Sequence, residues 1–212
     1  MNDGGSSSHR TICLLRSKVV IVGDASVGKS AITQMFHSGG TTFPKRYVMT
    51  IGVDFSVKVV NIPNCSKAVE LYLFDTAGQS IFSEQDLANK HWETANQVVV
   101  VYDVSKPESF QSCSKWLAKI RQVRQGRPIP GVLVANKIDL EARRVGGGVS
   151  REDGQQFAAS NGLCYFECSA LNSSLGTDGS GLSNVDMPFY FLADDFRKRY
   201  EEAVVCSDNM RI

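Results

Sequence analysis

Gly23-Asp24-Ala25-Ser26-Val27-Gly28-Lys29-Ser30 decides the reading of this chain. The stretch is a turn bounded by glycines that ends in Lys-Ser. Before it, Lys18-Val19-Val20-Ile21-Val22 is a short apolar run that reads as a buried strand. After it, Lys29 to His37 carries Ile32, Met35 and Phe36 at helical spacing. A strand, a turn of small residues and a helix opening on Lys-Ser form the setting of a phosphate-binding loop. Small residues let main-chain N–H groups wrap a β-phosphate, and the helix N-terminus adds the positive end of its dipole. The binding set expected here is Asp24, Ala25, Ser26, Val27, Gly28, Lys29, Ser30 and Ala31. Lys29 places a cation on the β/γ oxygens, and Ser30 offers its hydroxyl to Mg²⁺.

Working outward, residues 1–16 read as a flexible tail, 17–206 as a single domain and 207–212 as a short second tail. Residues 38–50 are a loop. Val53 to Asn61 and Val69 to Phe74 alternate around Pro63-Asn64-Cys65-Ser66, which predicts a hairpin and one antiparallel pair. Strands are expected at Gln97 to Val104, Gly131 to Ala135 and Leu163 to Cys168. Helices are expected at Pro107 to Gln125, with Phe110, Cys113, Leu117 and Ile120 on one face, and at Ser150 to Ser160, where Ser150 and Asp153 have capping-box spacing. A last helix is expected at Asp186 to about Val205, with Phe189, Leu192, Phe196 and Tyr200 facing inward. The order predicts an α/β fold: a mostly parallel six-stranded sheet, one antiparallel edge strand and helices on both faces. Gly146-Gly147-Gly148 and Leu171 to Asn184 read as insertions.

Three further stretches carry chemistry. Asp75-Thr76-Ala77-Gly78-Gln79 follows the hairpin strand. There Asp75 can hold the shell of the Mg²⁺, Gly78 can bring its N–H to a γ-phosphate, and Gln79 can orient an attacking water. Asn136-Lys137-Ile138-Asp139 follows a buried strand. The Asp139 carboxylate matches the paired N1 and N2 hydrogens of guanine, which adenine lacks. Ser169-Ala170 ends the last strand, where a main-chain N–H can meet guanine O6. Thr50, in a loop, can supply a third metal oxygen, so the expected metal set is Ser30, Thr50 and Asp75. Phe43 has two readings, a cover over the base edge or a loop aromatic packed on the core. These residues together bind GTP or GDP, and the expected catalytic pair is Gln79 and Lys29. Ala25 stands where a methyl group can crowd an incoming arginine, which predicts slow turnover.

Composition narrows the alternatives. The chain has 212 residues, 42% of them hydrophobic, with a formal charge of +1. That is ordinary globular usage, and the balance argues against nucleic acid as a partner. No apolar run reaches the length of a membrane span, the start lacks a secretory core, and no lipid anchor is expected. The six cysteines read as reduced cytosolic thiols, mostly packing residues. His9, His37 and His91 lack metal-ligand spacing. Arg143-Arg144 and Arg197-Lys198-Arg199 read as solvated faces, and the last helix with the 171–186 loop as a docking region.

The motifs in this order resemble the Ras superfamily of small GTPases over about residues 17–205. Thr50-Ile51-Gly52-Val53-Asp54-Phe55 and Asp75-Thr76-Ala77-Gly78-Gln79 are similar to its Rab branch. That resemblance implies a P-loop G domain and effector-facing aromatics at Phe55, Phe74 and Phe82, although Phe74 also reads as core. The chain departs from the Rab pattern at Phe74, at Ser80 and Ile81 after Gln79, in the longer loop through Ser38-Gly39-Gly40, and in having no double-cysteine tail. Four stretches narrow the likeness: Ile81-Phe82-Ser83-Glu84; Glu108-Ser109-Phe110 with Cys113-Ser114-Lys115-Trp116-Leu117; Pro130 to Lys137; and Met187-Pro188-Phe189. They resemble the intraflagellar transport 27 family of Rab-like GTPases. This implies a heterodimer with the β-sandwich subunit intraflagellar transport protein 25, a place in the transport B complex, and residence in the cytoplasm, the cilium or flagellum and its base. A vesicle-traffic switch of Rab type and a non-hydrolysing, nucleotide-bound scaffold subunit stay open as alternatives.

Overall fold

The computed structural model describes residues 13–44, 46, 48–78, 87–140, 146–174 and 182–209. Among the described residues six strands and five α-helices follow one another as β1 (Cys13–Val22), α1 (Lys29–His37), β2 (Val53–Asn61), β3 (Lys67–Thr76), α2 (Leu87–Glu93), β4 (Gln97–Asp103), α3 (Pro107–Val123), β5 (Gly131–Asn136), α4 (Arg151–Asn161), β6 (Leu163–Cys168) and α5 (Asp186–Asn209). They form one sheet in the order β2-β3-β1-β4-β5-β6. All neighbours are parallel except the β2–β3 hairpin at the edge, as the alternating pattern predicts.

The sheet is buried on both faces, which is why its inner strands read as unbroken apolar runs. Every residue of β4 and β5 is buried. Alternate side chains serve two cores. Val19, Ile21, Leu71 and Leu73 pack with Ile32, Phe36, Phe189 and Leu192 of α1 and α5. Val20, Val22, Val98 and Val100 pack with Trp92 of α2 and with Cys113, Trp116 and Ile120 of α3. The rings of Phe36 and Phe189 stack at 4.1 Å and tie α1 to α5. Burial of each such side chain contributes about 1.5–3 kcal/mol. Ser150 caps α4 as its spacing predicts, accepting from the Asp153 N–H at 3.1 Å.

Several expectations need correction. Strand β1 begins at Cys13, so residues 13–16 belong to the sheet and not to a tail; parallel pairing with β3 from Lys67 onward extends the strand. Helix α5 runs to Asn209, past the expected stop near Val205, because no Gly or Pro follows Pro188 of its first turn. Tyr200 is not inward-facing but 42% exposed. The short helix α2 has no counterpart in the sequence reading. The cysteines are free, but only Cys113 and Cys168 are buried; Cys13, Cys164 and Cys206 are exposed. Most are therefore not packing residues. Arg197, Lys198 and Arg199 pair with Asp194, Glu201 and Asp195 on their own helix; Lys198 and Arg199 keep solvent contact as expected, whereas the Arg197 side chain is largely covered. Arg143 and Arg144 lie outside the described residues, as do residues 175–181 of the 171–186 loop. No described helix is long and apolar enough to cross a membrane.

Candidate functional site

Strands β1, β3, β5 and β6 all deliver their C-terminal ends to one edge of the sheet, where ligands bind in open α/β folds. At the end of β1 the chain turns through Ser26 and Gly28, both at positive φ, into α1. Gly28 is required twice over: its φ is 101°, and a Cβ there would stand 2.2 Å from Asn136 Nδ2. The buried ammonium of Lys29 donates to the Gly23 and Asp24 carbonyls at 2.8 and 2.9 Å. Burial pulls its pKa down to about 8, against the opposing charges of Asp75 and Asp24.

The three predicted metal residues meet. Ser30 Oγ donates to Asp75 Oδ2 at 2.5 Å and lies 2.9 Å from Thr50 Oγ1. Asp75 is buried, which raises its pKa despite the Ser30 hydrogen bond and the Lys29 charge. Its other oxygen, Oδ1, is buried without a hydrogen-bond partner among the described residues. One carboxylate and two hydroxyls are hard oxygen donors, and an unspent buried carboxylate oxygen suits a hard cation that keeps part of its water shell. The set therefore fits Mg²⁺. Beside it lies a cavity of about 510 Å³, walled by Ala25, Lys29, Ser30, Phe43, Thr50 and Gly78 among others. Phe43 is 40% exposed and lines this cavity, so its packed-core reading falls. Gly78 sits so close to the loop that a Cβ would be 2.3 Å from the Ala25 nitrogen. Gln79 and Phe82 lie outside the described residues.

The residues expected to read a base gather from the ends of β5 and β6. Asn136 Nδ2 donates to the Val27 carbonyl at 2.8 Å, and its Oδ1 accepts the Ala170 N–H at 3.4 Å. Lys137 reaches back to the Ser26 carbonyl at 2.8 Å and to Asp103 Oδ2 at 2.7 Å. Asp139 Oδ1 accepts from Ser169 Oγ at 2.5 Å. Loop and base motifs are thus fastened together through Asn136 and Lys137.

Three residues that hold the site escaped the sequence reading. Asn184 is buried; its Oδ1 accepts the Ser169 N–H at 3.2 Å and its Nδ2 donates to the Asn172 carbonyl at 3.2 Å. Asp103 anchors Lys137, and Trp116 donates to Asp24 Oδ1 at 2.9 Å. No spacing signals them, because each partner is distant in sequence. Phe74 falls between its two readings: half-buried, it packs on the α2–α3 core and lies 5.0 Å from the exposed Phe55 ring. Among the described residues there is no cluster of three His, Cys, Asp or Glu.

Comparison with known families agrees with this geometry. The model of the Ras family matches residues 18–179. The chain belongs to the Ras family. Within it, the chain is 41% identical over 190 residues to the intraflagellar transport protein 27 homolog of Homo sapiens, covering 90% of this chain and 95% of the relative. Intraflagellar transport protein 27 of Chlamydomonas reinhardtii is 41% identical over 192 residues, 90% of this chain and 88% of the relative. The human Ras-related protein Rab-30 is 37% identical over 156 residues, 74% and 72% of the two chains. This Ras-family protein is a Rab-like small GTPase, and guanine-nucleotide binding is what its family does.

Proposed function

We propose that this Rab-like GTPase binds GTP and GDP with Mg²⁺, hydrolyses GTP slowly, and works as a subunit of a ciliary transport assembly. The observation that carries the reading is the meeting of Ser30, Thr50 and Asp75 beside Lys29, with Asp75 Oδ1 unspent. Mg²⁺ bound there would supply charge neutralisation across the β- and γ-phosphate oxygens. The chain's own residues do the rest. Main-chain amides of residues 24–31 and the α1 N-terminus cradle the phosphates, and the Lys29 ammonium adds a buried positive charge. Gln79 orients the water. Asp139, steadied by Ser169, selects guanine by leaving an unpaired carboxylate against adenine.

Ala25 supports slow turnover. Its methyl group stands at the cavity wall, where an arginine supplied by another protein would have to enter to neutralise charge on the leaving group. The assembly role rests on the likeness to intraflagellar transport protein 27 relatives over nine-tenths of the chain. In that setting the partner is a small β-sandwich subunit of the intraflagellar transport protein 25 kind, within the B complex, at the cilium or flagellum and its base.

The test is calorimetry of the purified chain with GDP and ADP, each with and without Mg²⁺. Tight binding of GDP that weakens without the metal, and at least about a hundredfold weaker binding of ADP, is expected. D139A should erase most of that preference. Equal affinity for the two purines in the unmodified protein would overturn the guanine assignment. Co-purification from ciliated cells, followed by identification of any small β-sandwich partner, tests the assembly role; its absence from the complexes recovered would overturn that part alone.

A further inference from the structure

One side chain of the phosphate-binding loop carries the wrong charge for its surroundings. Asp24 follows Gly23 at the end of β1, where the site gathers phosphate oxygens. Its main chain faces the site, since its carbonyl accepts from Lys29 Nζ at 2.9 Å. Its carboxylate goes the other way. Oδ1 accepts the indole N–H of Trp116, on α3, at 2.9 Å. The cavity is lined by Ala25, Ser26, Gly28 and Lys29, but not by Asp24.

Trp116 is well placed to hold that group. It is fully buried, and Trp92 of α2 packs edge-on against it at 6.1 Å between ring centroids. Its ring is therefore fixed by the core and does not follow the loop. Cys113, one turn earlier on α3, lies near the same carboxylate: burial pushes its thiol up, and the Asp24 charge adds to that push. Trp92 also buries an indole N–H, but that one has no acceptor among the described residues. The carboxylate thus serves one of two neighbouring indoles, and it serves the one on α3.

We propose that Trp116 is a positioning residue for nucleotide binding: its indole N–H holds the Asp24 carboxylate against α3 and out of the phosphate cleft. The proposal rests on the reading of this cleft as a guanine-nucleotide site. Hydrogen bonds to ionised groups are among the strong ones, and like charges in a site of reduced dielectric repel over several ångströms. Released from Trp116, the carboxylate swings on its own χ1 toward the phosphates and weakens their hold.

Release of mant-GDP in the presence of Mg²⁺ tests this. W116F keeps an aromatic ring and removes the N–H; release should quicken about tenfold or more, the scale of one charge-assisted hydrogen bond. The same substitution made in D24N should change release by less than about threefold, because no charge is left to misplace. An equal penalty with Asp or Asn at position 24 would overturn the proposal and make Trp116 a packing residue only. Where W116F does not fold, D24E decides, since it leaves every core side chain in place and moves the carboxylate by one methylene. Release from D24E about tenfold faster than from the unmodified protein supports the proposal; release at the unmodified rate overturns it. Failure of the unmodified protein to bind mant-GDP at all would instead sink the nucleotide reading, and that result precedes any variant.

Discussion

The loop proposed to hold the phosphates is eight consecutive residues, 23–30, joined only at its end by Thr50 and Asp75, whereas the proposed base end collects Asn136, Asp139, Ser169 and Asn184 from three separate segments. On the proposed reading the loop works mainly through main-chain amides, a helix terminus and one ammonium, and the fold needs only to present a turn. The base end works through side chains that must hold one another: Ser169 to Asp139, Asn184 to Ser169, Asn136 to Ala170. A turn of small residues concentrates its function in a few atoms. A lattice of side-chain hydrogen bonds spreads it over many. The two halves should therefore fail differently.

The largest effect belongs to the concentrated half. K29A removes the buried cation of the proposed phosphate loop and should weaken GDP binding by at least about a hundredfold, roughly 3 kcal/mol, in a calorimetric titration. A loss under tenfold would break the contrast. On the distributed half, N184A unlatches the Ser169 N–H and the Asn172 carbonyl. It should cost about 1–2 kcal/mol of stability by denaturant titration and quicken GDP release only several-fold. If N184A instead matches K29A in affinity lost, the base end is as concentrated as the phosphate end.

The smallest effect is a pH dependence at the base end. Burial works to raise the pKa of Asp103, but hydrogen bonds from Lys137 and Ser105 outweigh it, and the carboxyl sits below the usual 3.8. A carboxyl that is more acidic folded than unfolded adds stability that is complete above the unfolded value and is lost as pH falls through the folded one. D103N should therefore melt at a lower temperature than the unmodified protein near neutral pH, with the gap narrowing below about pH 4. A gap that stays constant down to about pH 3 would show that the Asp103–Lys137 pair contributes nothing through its charge.

The same contrast explains how far the sequence could be read. The loop was legible because its signal is local: strand, glycine turn and helix sit side by side, and Lys29 and Ser30 occupy fixed places in it. Asn136, Asp139 and Ser169 were legible as short motifs at strand ends. Asn184 was not, because it is the last residue of a stretch that reads as an insertion, just before α5. The Asp24–Trp116 bond spans 92 residues and leaves no trace in spacing. Helix α2 was missed for a different reason. Seven residues make too short a window for a helical period, and its fit comes from Trp92 packing into the α3 core. The start of β1 was missed because Arg16 and Ser17 break its apolar run; pairing with β3, not hydrophobicity, makes it a strand.

Trp92 and Trp116 are the only two indoles in the chain, and they stand in one wall between the phosphate turn and α2. Excited at 295 nm or above, where tyrosine is silent, the protein would carry its own optical reporter in that wall. Any rearrangement that alters the environment of Asp24 would be recorded as emission, with no dye attached to the ligand and no label on the polypeptide.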